Sequence, residues 1–520
     1  MLRVKSLVVN TVLLTASSFV MRFVGMAFQV WLTKKLGETG IGLFQLILSV
    51  YTLFTTLAIS GIRFAATRLI SEKLGLNPRC DISPIVRRCL FYAFCAGTVS
   101  LILLSMFARD IAVLWIKDER AYVSLRVLAV SLPLLAMSAV LSGYFTAVGK
   151  VYKSAVSQFA EQLARIVTVI VFYTFHASAD LSVSCAVIMA GGALGDLVSF
   201  VMQYGFYRFD RRRFSQKQVY RGLTLSLFKI AFPLALSSYA RTALSTLQQL
   251  LVPRGFEKHG ATGQKALADY GMIQGMALPV ILFPSALVYS LADVIVPFLT
   301  DAQMQGDTKR TSSLSGNALT LCFLFAAVVS SVIFRYANDL AQILYASDTA
   351  GKFIRIFALL IPVMYLDAIT DGILRGLGKH MYCMWVNIGD SVVSVLLVYF
   401  LLPRFALSGY VFMICFTEVV NFAFSYHKLK KCGDIHLKIG SIFKSAVSAL
   451  GAVSIAEMLL NTVNLHKTDT GLSLAVHILL TVIVYALLIL ILFGKDAIMQ
   501  KNLIGRAKHE RIQADFRKRA

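Results

Sequence analysis

Apolar runs of about 20 residues recur along the whole chain, and they restrict its fold more than any other feature. Of the 520 residues, 57% are hydrophobic and 15% are charged. Soluble domains average about 45–50% apolar and about 25% charged residues. An apolar run of this length spans a bilayer when it forms an α-helix. We count about 14 such runs, which predict an all-α polytopic membrane protein with about 14 transmembrane helices.

The chain also contains an internal repeat, visible in three stretches that each match at a constant offset. In the first stretch, Pro133, Gly143, Gly149, Lys150 and Glu161 match Pro362, Gly372, Gly378, Lys379 and Asp390. In the second, Ser18, Arg22 and Gln29 match Ser237, Arg241 and Gln248. In the third, Asp196 and Phe200 match Glu418 and Phe422. Three matches in the same order indicate two tandem copies of a helical bundle.

The repeat predicts how the chain is organised. We expect an N-lobe at residues 1–210, a C-lobe at 211–430, two additional helices at 431–494 and a basic cytoplasmic tail at 495–520. The most basic loop, Arg208 to Arg221, separates the lobes. Each lobe has six spans, so both lobes enter the membrane from the same side. Such parallel repeats predict a substrate site between them, near the bilayer midplane.

The net charge of +24 is distributed unevenly between alternate loops. With the N-terminus inside, roughly 30 basic residues fall in cytoplasmic segments against roughly a dozen outside. This bias predicts a multi-pass protein of the cell membrane with both termini in the cytoplasm. It also predicts that the basic cytoplasmic loops and tail contact anionic lipids, and it argues against nucleic-acid binding.

Nothing in the sequence indicates catalysis. The predicted loops are too short to hold an extramembrane domain, and there is no Asp-x-Asp motif and no nucleotide-binding GxxxxGK[ST] loop. The eight cysteines show no CxxC or Cys/His metal spacing. We therefore expect no enzyme activity, no metal site and no cofactor.

Three arginines fall inside predicted spans. Arg22 and Arg241 occupy equivalent positions of the two copies, and Arg63 follows a Ser60-Gly61 break in the second span. A buried arginine costs about 2.5–3.5 kcal/mol on insertion scales, which is tolerable where it faces a wet cavity and meets an anion. Its guanidinium suits phosphate oxygens. We interpret Arg22, Arg63 and Arg241 as candidate phosphate ligands, the alternative being fixed salt bridges to buried carboxylates.

Intramembrane carboxylates form a second set of candidates. Glu161 and Arg165 are four residues apart and can pair on one helix face, whereas Asp390 has no such partner. Asp196 and Glu418 occupy equivalent mid-span positions. These residues either couple transport to an ion or hold each bundle together.

A third set of candidates lies on the tenth predicted span. Asp367, Asp371 and Arg375 are spaced four residues apart and form one polar stripe. The stripe either lines a pathway or is neutralised internally against another helix. In the eighth span, Pro279, Pro284 and Pro297 predict an interruption.

The six-plus-six-plus-two pattern and the stretch Gly149-Lys150 with Gln158, Glu161 and Arg165 resemble a known group of transporters. They are similar to the polysaccharide and sporulation branch of the multidrug/oligosaccharidyl-lipid/polysaccharide exporter superfamily. The segment from Ser18 to Gly25 also resembles the opening helix of the lipid II flippases. Those flippases carry a further arginine near the position of Phe28, and the sporulation relatives often have proline where this chain has Arg63.

The resemblance implies two lobes that form a V, alternating access, and a polyprenyl-pyrophosphate-linked sugar as the substrate. It implies that the two additional helices form a groove for the lipid tail. We therefore expect a flippase for a lipid II-like or polysaccharide precursor, working beside cell-wall or polysaccharide synthesis enzymes. Coupling to Na⁺, H⁺ or the membrane potential is left open. The alternative is a cation-coupled multidrug exporter of the same superfamily.

Overall fold

The computed structural model describes residues 2–59, 61–77, 80–175, 180–211, 223–433, 439–462 and 471–492. No β-strand occurs among them, so the all-α prediction is confirmed. The first half of these residues contains helices α1 Leu2–Ile59, α2 Ile62–Leu76, α3 Ser83–Asp110, α4 Ala121–Ala147, α5 Val151–Phe175, α6 Leu181–Arg211, α7 Leu223–Lys258 and α8 Gly263–Gly271. The second half contains α9 Leu278–Leu282, α10 Ser285–Met304, α11 Thr308–Arg335, α12 Ala337–Tyr345, α13 Asp348–Ala358, α14 Ile361–Gly376, α15 His380–Cys432, α16 Ile439–Thr462 and α17 Gly471–Leu492.

Ten helices of the described chain are long and apolar enough to cross a membrane, or eleven if the bent pair α13–α14 counts as one span. Two of the ten are far longer than a bilayer requires. At 53 residues, α15 would extend about 80 Å, against about 30 Å of hydrocarbon core. Non-helical backbone at Ala406 bends α15, and Gly37 does the same in α1. The predicted number of about 14 spans stays a prediction.

Helix breaks occur where the sequence predicts them. Gly61 has a φ of 76° and precedes α2, while Ser60 lies outside the described residues. The interruption of the eighth predicted span falls at Pro284, between α9 and α10. Proline lacks the N–H that would continue the helical ladder, which explains this boundary. Pro297 is accommodated inside α10.

The helices pack into two compact units. The first contains Met1–Pro279 and His380–Asn421, and the second contains Val280–Lys379 and Phe422–Ala520. These units reflect packing density, so they do not test the lobe boundary predicted from the repeat. Most of the predicted linker, residues 212–221, and the basic tail at 495–520 lie outside the described residues.

Each unit has its own buried core. In the first unit, side chains of α2, α3 and α4 surround the fully buried Tyr144 and Phe145. Gly97 of α3 lies close to Pro133 of α4, because a Cβ there would be only 2.5 Å from the proline Cα. In the second unit, α16 and α17 cover α11, and the Tyr485 hydroxyl donates to the Leu324 carbonyl at 2.8 Å. Small residues and such hydrogen bonds are typical of helix packing in membranes.

One contact recurs at the spacing of the sequence repeat. A Cβ added to Gly143 of α4 would meet the Arg63 carbonyl oxygen of α2 at 2.7 Å. A Cβ added to Gly372 of α14 would meet the Ala292 Cβ of α10, also at 2.7 Å. Arg63 and Ala292 are as far apart in the chain as the two glycines are. The second copy therefore has alanine where the first has an arginine.

Candidate functional site

The three candidate phosphate ligands all belong to the first unit and all have side chains that are at least partly exposed. The guanidinium groups of Arg63 and Arg241 form no hydrogen bond or ion pair with any described residue. Arg22 has contacts of its own. The alternative of a fixed salt bridge therefore does not describe Arg63 or Arg241 within the described chain.

Arg241 lies in a stretch of α7 that packs along the end of α1. The Tyr239 hydroxyl donates to the Leu57 carbonyl at 3.2 Å, and Thr56 and Thr242 are hydrogen-bonded at 3.4 Å. Arg63 follows in the first turn of α2, just beyond the break at the end of α1. Arg63 therefore lies just after the break between α1 and α2, and Arg241 lies on the stretch of α7 that packs against α1 just before this break.

Arg22 lies one turn before Gly25 on α1. A Cβ added to Gly25 would be 3.3 Å from the Gln162 side-chain nitrogen of α5. Residues three apart share a helix face, so Arg22 lies on the side of α1 that approaches α5. This places it beside the helix that carries Glu161 and Arg165.

Arg165 is the centre of a polar cluster that joins four helices. Its Nη2 lies 3.2 Å from Glu161 on α5 and 3.8 Å from Asp196 on α6. The Tyr51 hydroxyl of α1 donates to the other Asp196 oxygen at 3.2 Å and is hydrogen-bonded to Ser131 of α4 at 2.6 Å. We call these five residues the Arg165 cluster. The Asp196 side chain is only 5% exposed, so its charge depends on these partners.

The corresponding carboxylates of the second copy have no arginine. Asp390 and Glu418 lie on the two halves of α15, on either side of the bend at Ala406. They are close enough to repel each other electrostatically, and neither forms an ion pair with a described residue. The second copy has no counterpart of Arg165, and no other helix of the described chain supplies a cation in its place. Two like charges without a cation are unfavourable in a low-dielectric site.

The polar stripe of α14 contacts the C-terminal part of α15. Asp367 is buried, and an Asp371 carboxylate oxygen accepts from the Ser425 hydroxyl at 3.3 Å. Arg375 is exposed and donates to the Asp371 carbonyl oxygen rather than to its carboxylate. Within the stripe, Asp367 is thus buried against neighbouring helices, whereas Arg375 is exposed.

Sequence reasoning missed several partners in these polar sites. Tyr51 and Ser131 lie on helices remote in sequence from Asp196, and both belong to types that are common in membrane helices. No local pattern distinguishes them from other hydroxyl residues. Among the described residues, no group of three metal-ligating side chains occurs, and none of the eight cysteines forms a disulfide.

Ten or eleven apolar helices of the described chain, several with ionisable side chains at mid-helix, indicate a polytopic membrane protein with a polar functional site among its helices. Residues 7–303, more than half of the chain, match the family model described as polysaccharide biosynthesis protein. The chain therefore belongs to the polysaccharide biosynthesis protein family. Residues 259–400 also match the MatE family model.

Known relatives cover nearly the whole chain. Stage V sporulation protein B of Bacillus subtilis (strain 168) is 24% identical over 510 residues, which is 96% of this chain and 98% of that protein. The lipid II flippase MurJ of the same organism is 20% identical over 467 residues, 83% of this chain and 84% of that protein. These matches confirm the resemblance to the flippase and polysaccharide exporter superfamily.

A solved structure shows the same fold. The lipid II flippase MurJ in its inward closed conformation superposes with a TM-score of 0.70 at 13% sequence identity. The match covers 94% of this chain and 100% of that one. The helical architecture is therefore that of this class of membrane transporters.

Proposed function

We propose that this protein is a flippase that moves a polyprenyl-pyrophosphate-linked sugar across the cell membrane by alternating access. The cargo would be a lipid II-like or polysaccharide precursor. Membership of the polysaccharide biosynthesis family and similarity to a lipid II flippase and a sporulation protein support this class of substrate.

The charge balance of the first unit is the observation that carries the proposal. The Arg165 cluster already pairs Glu161 and Asp196 with a cation. Arg63 and Arg241 are exposed and lack a carboxylate partner among the described residues. Intramembrane guanidinium groups in this state favour an anionic ligand, and their fork of donors suits a pyrophosphate. Arg22, at the position equivalent to Arg241, would complete the binding set.

Coupling to an ion is the next part of the proposal. Asp390 and Glu418 form a carboxylate pair without an arginine, so a proton or a sodium ion would relieve their repulsion. We assign the coupling role to this pair and a bundle-stabilising role to the Arg165 cluster. The stripe of Asp367, Asp371 and Arg375 would line part of the pathway. No resident cofactor is required.

The cation-coupled multidrug exporter remains the second candidate, and a specific observation favours it. The MatE model covers residues 259–400, which include Asp390, and carboxylates without arginine suit organic cations. The exposed arginines favour the first candidate, because they would repel a cationic substrate.

The surroundings of the protein follow from the charge pattern. We propose that both termini are cytoplasmic, that basic cytoplasmic loops contact anionic lipids, and that the flippase works beside cell-wall or polysaccharide synthesis enzymes. Their products would be its cargo, and the transport step itself requires no bond to be made or broken.

A reconstituted transport assay tests the substrate class. Proteoliposomes with the full chain would be offered a labelled polyprenyl-pyrophosphate sugar or a fluorescent organic cation. We expect flipping of the lipid-linked sugar, reduced about tenfold or more by Arg22→Ala, Arg63→Ala or Arg241→Ala, because each removes a charge-assisted contact to phosphate.

Arg109→Ala is the matched control, since Arg109 is exposed in the last turn of α3, outside the proposed site. Its activity should match that of the unmodified protein at equal reconstituted amounts. Full flipping activity in all three site variants, or transport of the organic cation alone, would rule out the proposed pyrophosphate site.

A further inference from the structure

A cavity of about 400 Å³ lies in the second unit, whereas the three candidate phosphate ligands belong to the first. It lies where the α10–α11 turn, the α14–α15 turn and the C-terminal end of α15 meet. Its size falls in the range of ligand pockets, about 300–1,000 Å³. Among the described residues, Lys379, Lys428 and Lys431 line it, together with a single acidic residue, Asp307. We call it the Lys379 pocket.

The one carboxylate that the described residues contribute to the Lys379 pocket already caps a helix. Asp307 caps α11, accepting a hydrogen bond from the Arg310 backbone N–H at 2.9 Å. Lys379 and Lys431 form no ion pair with any described residue. The pocket therefore carries an excess of positive charge, and the Thr308 and Ser312 side chains in its lining add hydroxyl donors.

In the first copy, the lysine equivalent to Lys379 forms an ion pair with a carboxylate of the same copy. Lys150, which matches Lys379 in the sequence repeat, lies 2.8 Å from the Asp210 carboxylate. Lys153 lies 2.9 Å from the same oxygen and also faces the Phe206 ring. The Asp210 side chain is only 5% exposed, so this arrangement is closed.

The second copy lacks the carboxylate that pairs with this lysine in the first copy. The offset that relates Asp196 to Glu418 also relates Asp210 to Cys432. The same offset relates Phe206 and Phe209 to Lys428 and Lys431. At these three positions the first copy has a carboxylate and two aromatic rings, whereas the second copy has a thiol and two ammonium groups. Cys432 also lines the Lys379 pocket, so within the described chain the position equivalent to Asp210 brings a thiol to the cavity instead of a carboxylate.

We propose that the Lys379 pocket binds a phosphate group presented at the membrane surface. Candidate spans Ser285–Met304 and His380–Cys432 end here, and Thr308–Arg335 begins here, so the pocket lies at the level of lipid headgroups. Basic pockets between transmembrane helices on the cytoplasmic side bind phosphorylated lipid headgroups. The phosphate would take the place that Asp210 occupies in the first copy. This site shares no residue with the proposed pyrophosphate site and does not depend on the transported substrate.

A binding experiment with the delipidated full chain in detergent tests the proposal. The midpoint of thermal unfolding would be followed while cardiolipin, phosphatidylglycerol, phosphatidylcholine or inorganic phosphate is added. We expect the anionic lipids to raise the midpoint and phosphatidylcholine not to. The double variant Lys379→Gln/Lys431→Gln should weaken that binding about tenfold or more. Inorganic phosphate acting as strongly as the lipids would identify a soluble phosphate compound as the ligand.

A matched control removes two positive charges outside the lining. In Lys309→Gln/Lys430→Gln the total charge falls equally, and Lys430 lies over the Tyr426 ring instead of in the pocket. Binding by this control should stay within about twofold of the unmodified protein, because only diffuse attraction changes.

A single substitution gives an independent test. Cys432→Asp restores the carboxylate of the first copy and should abolish phosphate binding, while Cys432→Asn, of similar size and without charge, should leave it intact. The unliganded midpoint of each variant verifies that it is folded. Equal binding by both Cys432 variants, or equal losses in the two double-lysine variants, would overturn the proposal.

Discussion

A single arginine decides how the intramembrane carboxylates of the two copies behave. In the first copy, Arg165 lies within ion-pair distance of both Glu161 and Asp196. In the second copy, Asp390 and Glu418 have no such cation within the described chain. The same carboxylate positions are therefore paired with an arginine in one copy and lack a cation from the described residues in the other.

Removal of Arg165 should destabilise the first unit. Arg165→Ala would leave Glu161 and Asp196 facing each other, and we expect a loss of about 1–3 kcal/mol, since the arginine is partly exposed. Thermal unfolding of the purified protein in detergent measures this loss. Arg126→Ala, which removes an exposed arginine from α4, is the control.

The double variant Arg165→Ala/Asp196→Asn separates charge repulsion from lost packing. If charge repulsion causes the loss of stability in Arg165→Ala, the double variant should recover part of that stability. An Arg165→Ala protein as stable as the control would show that the cluster does not hold the bundle together.

Neutralisation of Asp390 should change how transport responds to ion gradients. In Asp390→Asn, the pair with Glu418 loses its repulsion, so binding of a proton or sodium ion is no longer favoured. We expect flipping that responds at least about fivefold less to an imposed gradient, with substrate affinity retained. Proteoliposomes with imposed Na⁺ or H⁺ gradients provide the measurement. Asp293→Asn, an exposed carboxylate on α10, is the control, and an unchanged gradient response would remove the coupling role of Asp390.

At the level of secondary structure, breaks within helices matter as much as the helices themselves. The backbone turns at Gly61 with a φ of 76°, and α2 starts immediately after it. Ala406 bends α15 with a φ of 44°, a conformation that L-residues with a Cβ rarely adopt. The first break precedes the helix that carries Arg63, and the second lies between Asp390 and Glu418 on α15.

Gly61→Ala should therefore be strongly destabilising. An alanine would be strained at this φ by about 1–2 kcal/mol, and its Cβ would collide with the Ala231 carbonyl of α7. Gly75→Ala is the matched control in α2, where an added Cβ meets nothing within 4 Å. We expect a lower unfolding midpoint for Gly61→Ala and no loss for Gly75→Ala, whose helix propensity improves. Equal midpoints would mean that the break tolerates a side chain.

For the whole molecule, the charge pattern predicts an orientation. Lys258, at the end of α7, falls in a predicted outside loop, and Lys309, at the start of α11, falls in a predicted cytoplasmic one. In a variant without native cysteines, Lys258→Cys should react with a membrane-impermeant thiol reagent on intact cells. Lys309→Cys should react only after the cells are permeabilised. The reverse pattern would place both termini outside.

The sequence determined the all-helical membrane fold, the helix breaks at Gly61 and Pro284, and the ion pair of Glu161 with Arg165. These features are local, because hydropathy, proline and four-residue spacing act within one run of the chain. Only the tertiary structure decided which charges are satisfied. Tyr51 reaches Asp196 from α1, and Lys150 reaches Asp210 from the α4–α5 turn, and both segments are distant from their partners in the chain. Such pairings depend on which helices pack together, and no local pattern encodes that. Two copies with similar sequences can therefore differ in charge balance, because Lys150 has a carboxylate partner and Lys379 has none among the described residues.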